Sequence, residues 1–239
     1  MSLLSDRAIL RHMDQGTIVI SPFVKENLST SSYDVTLGEN YFREQRTVGR
    51  IYNPYDKEEV ERVWGVAKKA KSVSDWKKRN NANSLKNIPD DALVIWIKPN
   101  ETILCHTKEY LGGKKTVSTM MKARSSMGRN FLEVCKCAGW GDIGYVNRWT
   151  MEITNNSQYY SIPLVVGRRI GQIVFFETEG TDRSYENEGK YQLSSDIEAL
   201  SKTWSALDML PKLYKDREAE ACTNSNFTIE SEEEEEMKV

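Results

Sequence analysis

The chain has 239 residues, 39% hydrophobic and 28% charged, so one sizeable domain with a packed core is expected and global disorder is excluded. A formal net charge of −2 and no apolar run near the roughly 18–20 residues of a membrane span exclude a nucleic-acid-coating surface and a transmembrane helix. An acidic residue at position 6, no apolar leader, and Cys105, Cys135, Cys137 and Cys222 at no disulfide-framework spacing point to a soluble, cytoplasmic protein with reduced thiols.

In chain order, residues 5–15 predict a short helix capped by Ser5, with Ile9, Leu10 and Met13 on one face. Short strands follow at 17–20, 33–37 (closed by Gly38), 93–97, 102–105, 115–122, 133–138, 149–154, 160–166 and 172–177. Many short strands without alternating helices predict a mainly β fold, an antiparallel barrel or jelly roll, and disfavour a doubly wound sheet. Two stretches depart from that pattern. Residues 57–71 place Val60, Val63, Trp64 and Ala67 at helical spacing, and with the polar 75–91 they form an inserted excursion. Residues 195–210 carry Ile197, Leu200, Trp204, Leu207 and Leu210 as an amphipathic helical stripe before Pro211. Both stripes are read as core packing. Residues 227–239 hold six glutamates against one lysine; without them 32 basic and 29 acidic residues remain, a body of about +3 suited to a local anion site. The polar, acidic end beyond about residue 219 is expected to be disordered.

Residues able to carry chemistry cluster between 122 and 157. Arg124-Ser125-Ser126-Met127-Gly128-Arg129 offers two guanidiniums, two hydroxyls and a glycine, donors that suit a polyphosphate as well as an ordinary polar turn. Cys137-Ala138-Gly139-Trp140-Gly141-Asp142-Ile143-Gly144-Tyr145 reads as a glycine-rich hairpin whose backbone can approach a flat ligand. In residues 148–155, period-two alternation sets Trp149, Met151 and Ile153 on one strand face and Thr150, Glu152 and Thr154 on the other. A mid-strand carboxylate among aromatic and aliphatic neighbours is a candidate for a raised pKa and acid–base work, or else part of a solvated face. Cys135 and Cys137, spaced i, i+2, would share a strand face but lack partners for zinc. No zinc-deaminase signature, Walker loop, dinucleotide fingerprint or hydrolase triad occurs.

Taken together, these segments resemble the dCTP deaminase family, the deaminating branch of the trimeric dUTPase superfamily. The resemblance rests on Leu4-Ser5-Asp6-Arg7-Ala8-Ile9, Ile20-Ser21-Pro22-Phe23, residues 31–38, the Arg124 to Arg129 element, the hairpin from Ala138 to Tyr145, Glu152 ten residues after Asp142, residues 167–172, and Gly189-Lys190-Tyr191-Gln192. It implies a distorted dUTPase-like β-barrel or jelly roll with a short N-terminal helix, an inserted helical excursion and a C-terminal helix. Residues 1–192 would form the deaminase domain, with the insertion at about 51–91, a helical extension at 193–218 and an acidic tail at 219–239.

The resemblance also assigns roles. Glu152 would be the acid–base residue in metal-cofactor-free hydrolysis of dCTP to dUTP, with Ser125 and the Ala138 carbonyl holding the water and Arg129 orienting the glutamate. Gly139, Trp140, Asp142 and Tyr145 would read base and sugar. Arg124, Ser125, Ser126, Gln172, Tyr185 and Lys190 would surround a triphosphate carrying Mg²⁺, with no zinc, and Gln192 would also contact the substrate. Active sites would be shared between subunits of a homotrimer. The hairpin and Gln172 favour members that also release dUMP and pyrophosphate; the alternatives are a plain dUTP diphosphatase and a catalytically silent nucleotide-binding regulator. Departures from the family pattern fall at Cys135, Cys137, Gly141, Ile143 and Asn147, and at Leu193-Ser194 after the Lys-Tyr-Gln motif. A glycine at 141 in place of the family's isoleucine, with Cys135 and Cys137 beside it, leaves either room for a methyl or hydroxymethyl group on C5 of the base or a space that Trp140 or Ile143 fills.

Overall fold

The structure, a computed structural model, describes residues 2–46, 49, 51–81, 83–182, 185, 189–192 and 196–219. The expectation of a disordered acidic end therefore falls outside the described residues from position 220 onward, as does the 193–195 boundary.

The chain opens with β1 (Ser2–Leu3) and helix α1 (Asp6–Asp14). The Ser5 hydroxyl caps α1 by accepting from the Ala8 amide at 3.4 Å, and Ile9 and His12, one turn apart, are buried. Strands β2 (Ile18–Ser21) and β3 (Tyr33–Arg43) follow, then the insertion: α2 (Lys57–Trp64), β4 (Lys68–Lys69), β5 (Lys71–Ser72) and α3 (Val73–Asn80). The body continues through β6 (Leu93–Ile97), β7 (Thr102–Gly113), β8 (Val117–Ala123), the single turn α4 (Ser125–Gly128) and β9 (Leu132–Val134). It closes with β10 (Trp140–Gly141), β11 (Val146–Asn155), β12 (Ile162–Val165), β13 (Arg169–Glu177) and helix α5 (Ile197–Thr203).

The architecture is mainly β, as expected. All pairings are antiparallel: a curled ten-stranded sheet runs β10-β8-β13-β3-β7-β11-β9, with β1 on β13, β2 on β7 and β4 on β3, beside a small β12-β6-β5 sheet. Ile9, Leu37, Ile95, Ile103, Leu111, Met121, Met151 and Phe175 fill the enclosed core, where each large aliphatic side chain contributes about 1.5–3 kcal/mol of burial. No helix among the described residues is long and apolar enough to cross a membrane.

Three expectations are corrected. First, β3 does not stop before Gly38 but runs on to Arg43. The glycine serves a close approach, since a Cβ there would sit 2.0 Å from the buried His106 ring. Second, the strand expected at 133–138 ends at Val134, because Cys135 (φ 62°) and Lys136 (φ 40°) turn the chain away through left-handed backbone. Cys135 is consequently buried and Cys137 exposed, so they share no strand face. Third, the C-terminal stripe is a broken helix. The Ser205 hydroxyl and the Asp208 carboxylate form a capping box that starts a new 3-10 turn at Ala206–Met209.

The insertion and the C-terminal segment pack together on the sheet face opposite the main core. Phe42 and Leu104 meet Val60 of α2 and the Met209-Leu210 pair, with Trp64 and Trp204 against them. The insertion is also stitched into both sheets by β4 on β3 and β5 on β6, and by Trp76 stacked on Trp96 at 4.4 Å.

Candidate active site

Glu152 occupies the middle of β11, paired with Leu104 across β7. Its carbonyl accepts from the Cys135 amide at 3.1 Å, fixing the strand against the turn that leads to Ala138. Alternation places Trp149, Met151 and Ile153 in the core and turns Arg148, Thr150 and Glu152 outward. They do not meet open solvent: with the hairpin and the C-terminal segment they line a cavity of about 430 Å³.

Ala138, Trp140, Asp142 and Tyr145 form one wall of that cavity, and Trp64, Leu104, Trp204 and Met209 contribute to another. Burial pushes the Glu152 carboxyl above the usual glutamate range, opposed by its own backbone amide and by the Lys136 ammonium. One carboxylate oxygen, Oε2, is buried and has no hydrogen-bond partner. A buried, unpartnered carboxyl oxygen costs about 1–3 kcal/mol, a cost found where a proton or a ligand is to be bound. Arg129, expected to orient this carboxylate, is exposed and does not line the cavity; the nearby cation is Lys136.

The hairpin is held by its neighbours. The Met121 amide donates to the Gly139 carbonyl at 2.7 Å, and a Cβ on Gly139 would fall 2.2 Å from the Met121 carbonyl oxygen, so only glycine fits. Tyr145 is wedged edge-on between Trp149 and Tyr185, 5.3 Å from each. At Gly141 the expectation of spare room is overturned: a Cβ would meet the Thr119 hydroxyl at 2.2 Å and the Trp149 indole at 2.5 Å. The indole has taken the missing side chain's place, and this glycine opens no pocket for a C5 group.

Gln192 is engaged within the chain. Its buried amide donates to the Gly144 carbonyl at 2.9 Å and accepts from the Val146 amide at 2.6 Å, clamping the hairpin base. Lys190 is paired with Asp216, which holds its ammonium against the C-terminal segment.

The phosphate-type residues gather elsewhere. Arg124, Ser125, Ser126 and Gln172 line a second hollow of about 300 Å³ with Arg169 and Asp34. Asp34 Oδ2 lies 3.2 Å from Arg124 Nε and 3.0 Å from Arg169 Nη1, so one carboxylate faces two guanidiniums, and Glu26 lines the same hollow. The candidates thus sort into two places: Glu152, Ala138, Trp140, Asp142, Tyr145 and Tyr185 in one, Arg124, Ser125, Ser126 and Gln172 in the other. The reason is topological. The loop after β8 carries Arg124, Ser125 and Ser126, the adjoining β13 carries Gln172, and β11 carries Glu152; β13, β3 and β7 lie between β8 and β11 in the sheet.

Trp64, Trp204 and Met209 of the first cavity were not legible as site residues. Helical spacing marked the two tryptophans as apolar-face residues, but spacing cannot say whether such a face covers a core or a cleft.

A sequence model described as dCTP deaminase-like matches residues 3–178. The chain is similar to the "dCTP deaminase, dUMP-forming" of Methanosphaerula palustris, 28% identical over 192 residues, covering 80% of this chain and 90% of that protein. The protein of the same name from Clostridium botulinum (strain Eklund 17B / Type B) is 31% identical over 196 residues, covering 82% and 94%. The crystal structure of a 2′-deoxycytidine 5′-triphosphate deaminase from Agrobacterium tumefaciens shares the fold, with a TM-score of 0.50 at 16% identity over 72% of this chain and 47% of its own. By the extent of the family match, the chain belongs to the dCTP deaminase-like family.

Proposed function

We propose that this protein hydrolytically deaminates dCTP and cleaves the resulting dUTP to dUMP and pyrophosphate, in cytoplasmic pyrimidine deoxynucleotide metabolism. The observation that carries the reading is Glu152: a carboxyl buried in an aromatic cavity, raised in pKa, with one oxygen unpartnered. Deamination needs a group that takes a proton from water and returns it to the base. In this reading Glu152 removes a proton from a water held by the Ala138 carbonyl, the oxygen adds to C4, and N3 receives the proton. The new C4 hydroxyl then gives its proton, by way of Glu152, to the amine; the C4–N bond breaks, the amine leaves as ammonia, and a carbonyl remains at C4. Tyr145 packs on the deoxyribose and Asp142 accepts from its 3′-hydroxyl. A second water, at phosphorus, yields dUMP and pyrophosphate.

The separation of the two residue sets within one chain supports a site shared between subunits of a homotrimer, with Ser125 and Arg129 of one protomer reaching Glu152 of the next and Arg124, Ser126 and Gln172 gripping the triphosphate. No cluster of three or more carboxylate, histidine or cysteine side chains suited to a metal occurs among the described residues. A magnesium ion, in this reading, would arrive with the triphosphate and would neutralise charge on it.

Product analysis after incubation with dCTP and with dUTP tests the reading. Ammonia and dUMP from dCTP support it. Cleavage of dUTP with no ammonia from dCTP would make the protein a diphosphatase, and binding without turnover a regulator. A pH prediction accompanies it. Ionised Glu152 is the active base, so kcat/KM should fall on the acid side through its raised pKa. Because the Lys136 charge holds that pKa down, Lys136→Gln is expected to move the acid limb to higher pH, read from kcat/KM profiles of both proteins. An unmoved limb would detach Lys136 from the titration.

A further inference from the structure

Arg148 is the one cation lining the Glu152 cavity among the described residues; Glu152, Asp142 and Asp208 are its carboxylates. Its guanidinium is sandwiched, 4.8 Å from the centre of the Tyr110 ring and 4.6 Å from that of Trp204. Those rings flank the guanidinium while the residue lines the cavity, an arrangement in which a planar guanidinium keeps its N–H rim for a partner. No described residue accepts a hydrogen bond from that rim or forms an ion pair with it, and Nε is a buried donor without a partner. Beneath Trp204 the imidazole of His106 lies at 4.6 Å; burial pushes His106 down to about 4, so it is uncharged at neutral pH and does not compete as a cation.

Position along β11 indicates what the rim can hold. Arg148, Thr150 and Glu152 share the cavity face, and four residues of strand separate the guanidinium's anchor from the carboxylate's by roughly 13 Å. An extended nucleotide with its pyrimidine at Glu152 and its sugar toward Tyr145 brings its phosphates to that end of the strand. Lys190, the basic residue expected to meet them, is engaged by Asp216. Within this chain's own described lining Arg148 is the only positive charge, against three carboxylates, and so the one side chain from the same protomer that attracts a polyphosphate there electrostatically.

We propose that Arg148, held edge-outward by Tyr110 and by Trp204 of the C-terminal segment, is a phosphate-binding residue for the substrate's polyphosphate, supplied by the same strand as Glu152. The identity of the nucleotide and the direction in which its phosphates run rest on the deaminase reading; the capacity of Arg148 to bind a polyphosphate is measured independently of it. Trp204 lies beyond the residues matched by the family, so the C-terminal segment acquires a positioning role toward a site residue.

Inorganic tripolyphosphate is the probe, with calorimetric dissociation constants measured on the full chain and its Arg148→Gln and Arg148→Lys variants, each checked for unchanged assembly. Expected is a ten- to hundredfold weaker Kd for Arg148→Gln, the scale for removing a charge-assisted hydrogen-bonding group, with only part of the loss recovered by Arg148→Lys, whose ammonium keeps the charge but not the stacked planar fork. The KM for dCTP should rise in parallel, with kcat falling less than threefold. An unchanged Kd in Arg148→Gln, a Kd in Arg148→Lys weaker than in Arg148→Gln, or no tripolyphosphate binding by the unmodified protein would each overturn the assignment. Ammonia release from dCTP is scored separately: its absence, with the Kd pattern intact, removes the deaminase reading and leaves Arg148 in its role.

Discussion

Replacing Glu152 by glutamine is expected to lower ammonia release from dCTP by about 10²–10⁴-fold, the range for a positioned acid–base group. Glutamine preserves the side-chain length and one acceptor, so the cavity shape survives while the proton carrier is lost. Binding of dCTP should persist, and the pair of measurements separates chemistry from recognition. Near-normal ammonia release would remove Glu152 from the mechanism. The same substitution should also report on stability. A carboxyl with a folded pKa above its unfolded value favours the protonated fold, a contribution present at low pH and lost as pH rises through the folded pKa. For Glu152 the raising cause is burial. Near neutrality its ionised form therefore weighs against folding, and Glu152→Gln should raise the melting temperature at pH 7 relative to the unmodified protein but not below the ordinary glutamate range. A lower melting temperature at pH 7 would contradict the burial assigned to this carboxylate.

Trp149→Ala is expected to cost about 3–5 kcal/mol, the scale for truncating a buried aromatic residue that leaves a cavity. The indole is only 3% exposed. Its N–H donates to the Leu111 carbonyl at 3.0 Å, and its ring stands against Tyr145 and in the place a side chain on Gly141 would take. For a domain of this size the loss corresponds to a fall of roughly 6–20 °C in melting temperature, measurable by circular dichroism. A loss below about 1 kcal/mol would show that the indole is not the packing element between hairpin and sheet. Gly141→Ile reaches the same junction from the other side, and overpacking there should destabilise the protein rather than alter its choice of base.

The two variants also mark where sequence reasoning reached and where it stopped. Period-two alternation around Glu152 was legible because neighbouring strand residues face opposite ways, and β11 buries Trp149, Met151 and Ile153 as that pattern requires. The glycine at 141 was legible only as a missing side chain. Whether the space stands open depends on a residue eight positions later whose ring returns to fill it.

The order of short strands, the Ser5 cap, the helical insertion and the segments that carry the family resemblance were determined by the sequence alone, because each depends on residues within a few positions of one another. Tertiary structure decided the rest. It separated the Arg124 loop from Glu152 across three intervening strands, and it engaged Gln192 and Lys190 in contacts within the chain. It also brought Trp64 and Trp204, 140 positions apart, to the same cavity. The physical reason is that a helical stripe specifies only that an apolar face must be covered. What covers it is set by long-range sheet pairing, which local patterns do not encode.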